Sequence, residues 1–341
     1  MANDHYIPAA LIGRFSTETA GRSRQRKIWA LERDKQSVAR NGKAEKYGAE
    51  QDFYDLIMSQ HAHMPQVVDK TWLAYENHLG TVLDVLRATT DRYAIDAHSW
   101  LTVLVPFVAS LFVRGPDFNE RYEARPGMKE IYAHVAKQDP AYPRDNTNMA
   151  RLMEFQRLLS PIMAASWTVL HATGNIPFLI NDRGYTFYKP NGSAQIGWLI
   201  PVGQDVALAI QPKTVNSGRA VVVDTCIAHW RAILEHRAIS DEETAVFNRA
   251  IAGVASKFII GPSEESVSNM AKPLRHKPLP AKYVYHNSPP PAVMRLHEHS
   301  WHYLLSEIKL AAVDQRLIAN LRHLKGFLLR EQIISFFLTD H

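Results

Sequence analysis

Apolar residues recur at helical spacing through the first half of the chain and at shorter spacing in a central stretch. Val68, Trp72, Tyr75, Leu79, Leu83 and Leu86 fall three or four apart and predict an amphipathic helix. Phe53, Leu56 and Ile57 repeat that spacing, so helix is expected to dominate from about residue 49 to 174. Trp100 to Val113 is apolar almost throughout and contains Pro106. It is too short for the roughly 20 residues of a membrane span, which predicts a buried helix instead. Gly115-Pro116 ends it, and Ala124-Arg125-Pro126-Gly127 is a turn. A further helix is expected from Thr147 to His171, kinked at Pro161, with Gly174 closing it.

The pattern changes at Ile176. Phe178-Leu179-Ile180, Tyr185–Tyr188, Ile196–Ile200 and Val206–Ile210 are short apolar stretches separated by turn residues, with Pro190-Asn191-Gly192 as a hairpin signal. Lys27–Leu31 and Lys257–Ile260 read as further strands. Asp224 to Arg237 is expected to be helical, and Ser240-x-x-Glu243 is a capping-box signature for a helix running to about Ser256. The expected fold class is α+β, mostly helical. Its small antiparallel sheet (about 177–211, plus strands near 27–31 and 257–260) packs on the helices.

This pattern divides the chain into a main α+β domain over 1–262, a proline-rich connector over 263–299 and a helical tail over 300–341. The connector carries Pro273, Pro278, Pro280 and Pro289-Pro290-Pro291. Leu317, Leu321, Leu324 and Leu328 give the tail an apolar seam that suits docking on the main domain or a homo-oligomer.

Composition adds limits. The 341 residues are 46% hydrophobic and 21% charged, ordinary values for a globular chain. Asp4, His5 and Pro8 interrupt any apolar leader, so a cytoplasmic protein without a signal peptide or membrane association is expected. Cys226 is the lone cysteine, which excludes an internal disulfide and a multi-cysteine zinc site; its apolar neighbours suit an inert buried thiol. The net charge of +5 is unevenly spread. Residues 14–46 hold ten Lys/Arg against four Asp/Glu, and Lys272 onward holds ten against five. Segment 14–46 is therefore the candidate contact for nucleic acid or another anionic ligand, although such runs are also ordinary solvated surface.

No phosphate-cradling glycine loop and no G-x-S-x-G nucleophile elbow are present. His297, His299 and His302 are the sharpest histidine cluster, a weak candidate for a divalent metal; Trp301 stands where H-E-x-x-H needs its second histidine. His61-x-His63 is weaker still. The remaining candidates are polar residues at the ends of apolar elements. Asn181-Asp182 follows a strand and suits either a cleft or an ordinary turn. Arg114 ends an apolar helix, where it can complement the helix dipole or bind an anion. Glu76 and Asn248 sit on helices, and the opening His5-Tyr6-Ile7-Pro8 is unusually rich in chemistry for a chain terminus.

In order along the chain, these positions resemble the bacterial family known as domain of unknown function 4238 (DUF4238). The resemblance rests on His5-Tyr6-Ile7-Pro8, Leu11, Arg14-Phe15, the strand Lys27–Leu31, Phe53-Tyr54, Glu76 and Arg114-Gly115-Pro116. It continues through Ile180-Asn181-Asp182-Arg183-Gly184, Ile200-Pro201-Val202, Phe247-Asn248 and Phe258–Ile260, covering roughly residues 4–265. The family commonly has Gln after the opening Pro, and Ser before and Pro after the Asp motif, where this chain has Ala9, Asn181 and Gly184. The resemblance implies no activity, but it groups His5, Arg14, Arg114 and Asp182.

Two functions follow as expectations. One is a hydrolase acting on a phosphate-containing substrate such as nucleic acid. There His5 and Asp182 are catalytic, a divalent metal is a candidate cofactor, and Tyr6, Arg14, Arg114, Asn181 and Asn248 bind substrate. The other is a non-catalytic regulatory module that binds nucleic acid or protein. The hydrolase requires His5, Arg14, Arg114 and Asp182 to meet at one solvent-reachable cavity.

Overall fold

A computed structural model describes residues 3–34, 39–61, 65–89, 93–96, 99–124, 127–188, 197–211 and 231–275. The N-terminal part holds β1 (Asn3–His5), the short helix α1 (Ala9–Ile12), β2 (Lys27–Glu32), β3 (Arg40–Lys43) and β4 (Ala49–Gln51). A helical section follows: α2 (Val67–Ala88), strand β5 (Tyr93–Asp96), a π-helical stretch (Ser99–Leu104), α3 (Val105–Arg114), α4 (Asp117–Glu123), α5 (Met128–Val135) and α6 (Tyr142–Ala164). Then come β6 (Ser166–Ala172), β7 (Ile180–Asn181), β8 (Thr186–Tyr188), β9 (Gly197–Pro201), β10 (Val206–Gln211) and β11 (Arg231–Ile239). The described chain ends with α7 (Asp241–Val254), β12 (Phe258–Gly261), α8 (Glu264–Ser268) and α9 (Ala271–Arg275).

The fold is α+β, as the sequence pattern implies, with its strands spread over three sheets. A six-stranded sheet runs β5-β11-β6-β10-β9-β8, a four-stranded sheet runs β3-β2-β12-β7, and β1 pairs with β4 alone. Among the described residues every pairing is antiparallel except β11 with β6. Helix α3 is the centre of the core: all ten of its residues are buried. Pro106 sits where the π-helical stretch passes into α3, a point at which the regular i→i−4 ladder is already interrupted. Phe112 contacts Tyr185 and Trp198 at 4.7 and 5.0 Å, joining α3 to the six-stranded sheet, while Trp72 of α2 meets Phe155 of α6 edge-on.

Four expectations are corrected. Helix α6 stops at Ala164, and Ser166–Ala172 is strand β6; Ser166, Trp167, Thr168 and Val169 alternate exposed, buried, part-buried and buried, the period of a strand. Arg231–Ile239 is strand β11, held between β5 and β6, where helix was expected up to Arg237; sheet pairing on both edges overrides local propensity. Phe53–Ile57 is turn and coil after β4. Residues 264–275 form two short helices rather than loop. The Ser240 capping box is present with both of its hydrogen bonds. Residues 189–196 (the hairpin signal), Cys226, the proline cluster and the 300–341 tail lie outside the described residues.

Candidate functional site

The first residues of the described chain lie alongside α2. At one end Asp4 is buried, and its carboxylate accepts from the Tyr54 N–H at 2.9 Å. Burial and the neighbouring Asp55 and Asp52 push this carboxyl above its usual range, against the Tyr54 hydrogen bond. At the other end Arg14 donates to Val202 O at 3.0 Å and pairs with Asp84 of α2 at 2.7 Å. Tyr6 N–H donates to Gly48 O at 2.7 Å, and the Tyr6 ring is buried under Lys257, whose Nζ lies 5.6 Å from the ring centroid. Burial, then the charges of Asp182 and Glu50, push the Tyr6 hydroxyl far up, so it stays protonated.

Arg114 sits between these ends. It is the last residue of α3 and almost fully buried, and its guanidinium donates to Glu76, the Tyr75 hydroxyl and the main-chain oxygen of His5. Its own carbonyl accepts from the Tyr54 hydroxyl at 3.0 Å. Burial alone would lower its pKa; Glu76, Tyr75 and Tyr54 outweigh that and hold it charged. The cation also stands at the negative end of the α3 dipole.

Asn181, Asp182 and Asn248 form a second buried group that binds main chain. Asn248 accepts from Leu179 N at 3.0 Å and donates to Pro177 O at 2.8 Å. Asn181 donates to Ile251 O and Tyr185 O and accepts from Arg183 N. Asp182 accepts from Ser256 N at 2.7 Å through Oδ1 and from Lys257 N at 2.9 Å through Oδ2. Both of its oxygens are thus engaged in the turn between α7 and β12. Burial pushes its pKa up to about 6 despite those two donors and Arg183. On its own side Gly184 closes the turn after β7, donating to Asn181 O at 3.0 Å, at φ +76°, where a Cβ would come within 2.9 Å of Leu111.

His5 itself faces a different place. Its Nε2 lies 3.2 Å from Glu45 O, and the ring lines a cavity of about 400 Å³ with Arg24, Glu45, Lys46 and Ala49. Arg14, Arg114 and Asp182 do not line that cavity. The fold therefore joins His5 to Arg114 through the His5 carbonyl and brings Tyr6 within the field of Asp182. It leaves Arg14, in the turn after α1, paired with Asp84 on the far stretch of α2. Among the described residues no group of three or more His, Cys, Asp or Glu is arranged to hold a metal; His297, His299 and His302 lie outside them. His61 is engaged by Asp145 at 2.7 Å, and His63 is outside the described residues.

The order and placement of these residues bear on kinship. The family described as "Protein of unknown function (DUF4238)" matches residues 3–265. The chain belongs to the DUF4238 family. No curated protein and no solved structure matches it. The DUF4238 span opens at β1 and ends inside α8, so it takes in all three sheets and both buried polar groups. No helix among the described residues is long and apolar enough to cross a membrane.

Sequence reasoning missed Asp145 and Arg151 on α6. Asp145 is fully buried and accepts from Ile57 N, Met58 N and His61; Arg151 is equally buried. Their signal was present: Asp145, Asn148, Arg151 and Phe155 recur at three and four residues along one buried helix face. Polar residues on such a face are costly unless partnered, which marks them as sites.

Proposed function

We propose that this DUF4238 protein is a non-catalytic, cytosolic nucleic-acid-binding module. The proposed contact surface is the β2–β3 hairpin with the turns that carry Arg24 and Lys46. The observation that carries the reading is the register of the hairpin: Lys27 stands directly opposite Lys43, and both are exposed. Like charges in direct cross-strand contact weaken a strand pair, and a phosphate backbone lying over them relieves that repulsion. Neither lysine is in an ion pair with a described residue, and the same is true of Arg24 and Lys46, both exposed. On the same face Trp29 is half-buried and pairs with the exposed Asn41, giving an aromatic edge and an amide beside the cations.

The hydrolase alternative is less well supported. Both Asp182 oxygens are engaged by main-chain donors, and His5 lines a cavity to which Asp182 does not contribute.

The test is fluorescence anisotropy of a labelled single-stranded oligonucleotide against salt. Four phosphate contacts give a log–log slope of about −3, a roughly 50-fold loss of affinity between about 50 and 200 mM salt. Lys27→Ala/Lys43→Ala, at two exposed positions, should flatten the slope by about half. An unchanged affinity in that variant overturns the reading. So does oligonucleotide cleavage with a divalent metal that Asp182→Asn abolishes.

A further inference from the structure

Arg151 of α6 is a fully buried cation with no carboxylate in ion-pair contact among the described residues. Its Nε donates to Asn148 Oδ1 at 3.1 Å, and its other nitrogens donate to Val113 O, Gly115 O and Asn119 Oδ1. All four acceptors are neutral. The rings of Phe53 and Phe118 lie 4.8 and 4.9 Å from its Cζ. Burial lowers its pKa to about 10, with Tyr54 and Asp117 opposing, so it is charged at neutral pH. A lone buried charge is one of the costliest features a fold can carry, and a native fold normally supplies a counter-ion.

Two of the four acceptors lead outward. Asn119 and Asn148 turn their carbonyl oxygens to Arg151, so their amide nitrogens turn away from it, and both residues line a cavity of about 360 Å³. Asn148 gives one N–H to Phe53 O at 3.2 Å; the Asn119 amide nitrogen has no partner among the described residues. Arg144, on the same lining, grips the carbonyls of Asp52 and Asp55. Asp52 is the one non-glycine residue with positive φ among the described residues, at +50°. Its loop is thus held in an uncommon conformation at the cavity wall. Asp52 and Glu123 add two carboxylates to a lining that also holds Gln51 and Thr147; Gln51 donates to Asp52 Oδ2 at 3.2 Å, which leaves Oδ1, and Phe53 supplies an apolar wall.

We infer that this cavity binds a small zwitterionic amino carboxylate, of the size and charge pattern of a free α-amino acid. The carboxylate is taken by the Asn119 and Asn148 amides and by Nη1 of Arg144, whose Nε and Nη2 hold the two main-chain carbonyls, in the field of Arg151. The ammonium is taken by Asp52 and Glu123. An anion alone would meet the two carboxylates, and a cation alone would meet Arg144 and the amide donors. A ligand carrying both charges meets both the donors and the carboxylates of the lining, and the volume is within the range of small-molecule sites. The site is separate from the β2–β3 hairpin and does not rest on the nucleic-acid reading.

The experiment is isothermal titration calorimetry of the full chain with each standard L-α-amino acid at millimolar concentration. For any that binds, the matching carboxylic acid without the amine, the matching amine without the carboxylate, and inorganic phosphate are titrated too. At least one amino acid should give saturable heat, and both truncated analogues should bind about tenfold weaker or worse, each losing a charge-assisted hydrogen bond. Asn119→Ala and Glu123→Gln should each weaken binding by a similar factor. Glu123 is exposed, so that variant keeps the fold if Asn119→Ala does not. The inference is overturned if no amino acid binds, if phosphate or the bare carboxylate binds as well as the amino acid, or if Glu123→Gln binds like wild type.

Discussion

Arg114 donates from Nη2 to the main-chain oxygen of His5, a bond between residues 109 positions apart. The same guanidinium pairs with Glu76 and the Tyr75 hydroxyl, so α2, α3 and the N-terminal strand meet at one buried cation. An N-terminal segment normally frays unless something ties it down. Here the tie is a charge-assisted bond to a carbonyl, reinforced by the Tyr6 and Asp4 contacts.

This arrangement makes the two partners unequal under mutation. Glu76→Leu strands a fully buried cation and should cost about 3–5 kcal/mol, the usual penalty for breaking a buried pair from one side. Arg114→Met leaves a glutamate with 19% side-chain exposure and one unsatisfied carbonyl, so about 1–3 kcal/mol is expected. The double variant should cost less than the sum of the singles, because it leaves neither charge unpaired. Urea unfolding measures all three, and hydrogen exchange of the Tyr6 amide should quicken selectively in Arg114→Met. Equal costs for the two singles would contradict the role given to Arg114.

Asn248→Ala removes one side chain and orphans two buried main-chain groups, Leu179 N and Pro177 O. A loss of about 2–4 kcal/mol is expected, since each orphan costs about 1–3 kcal/mol. Asn248→Asp keeps the acceptor for Leu179 N, and at low pH its protonated carboxyl also offers an O–H donor to Pro177 O, so it should lie close to wild type there and fall toward Ala as the buried group ionises. Thermal denaturation with matched ΔH analysis checks the order.

Much of this was legible in the chain, and the errors have a common cause. Helix α2, the strands β2 and β12 and the Ser240 cap follow from period and capping chemistry that local sequence fixes. The segments of β6 and β11 suit helix as well as strand, since Leu170 and His171, or Ala232, Ile233 and Leu234, also fit a helical stripe; only their pairing with each other and with β10 and β5 decides. The buried groups at Arg114 and Asp182 were visible as polar residues at element ends. Their partners were not, because those are mostly main-chain atoms distant in sequence. Side-chain type alone cannot separate a carboxylate aimed at a ligand from one aimed at a backbone N–H.

Asp69 should make stability depend on pH in the less usual direction. Burial, then Asp4, pushes its carboxyl up to about 6 from 3.8, against the opposing charge of Arg114. The folded state then holds a proton that the unfolded state has lost, so this group's stabilisation is full below about pH 4. It is lost as pH rises through 6. Asp69→Asn abolishes that slope. Relative to wild type, the variant should gain about 1 kcal/mol between pH 4 and pH 7, a figure reduced for the partial exposure of Asp69. A difference that stays flat across that window would refute the shift.

His171 should act with the opposite sign. Its Nε2 lies 2.8 Å from Nδ1 of His236, with the rings stacked across the parallel β6–β11 pair. Burial lowers the His171 pKa although Asp205 is near enough to oppose it. The unfolded state therefore takes up a proton more readily, and stability is lost as pH falls below about 6.5. His171→Phe should remove that acid sensitivity while preserving the ring stack, as thermal scans at pH 5 and pH 7.5 would reveal.

Lys27→Glu separates the fold from the proposed binding. Opposite Lys43 it replaces a like-charge cross-strand pair by an opposite-charge one, which is worth about 0.2–1 kcal/mol of added stability. The same change removes one cation from the hairpin, adds an anion and occupies Lys43 with an intramolecular partner. Melting temperature should therefore rise slightly while oligonucleotide affinity falls and its salt slope shrinks by about 1 or more. An exposed lysine pair with no ligand would show the first effect without the second. Anisotropy and melting measured on one preparation separate these cases, and a stabilised variant that binds as tightly as wild type would remove the hairpin from the contact surface.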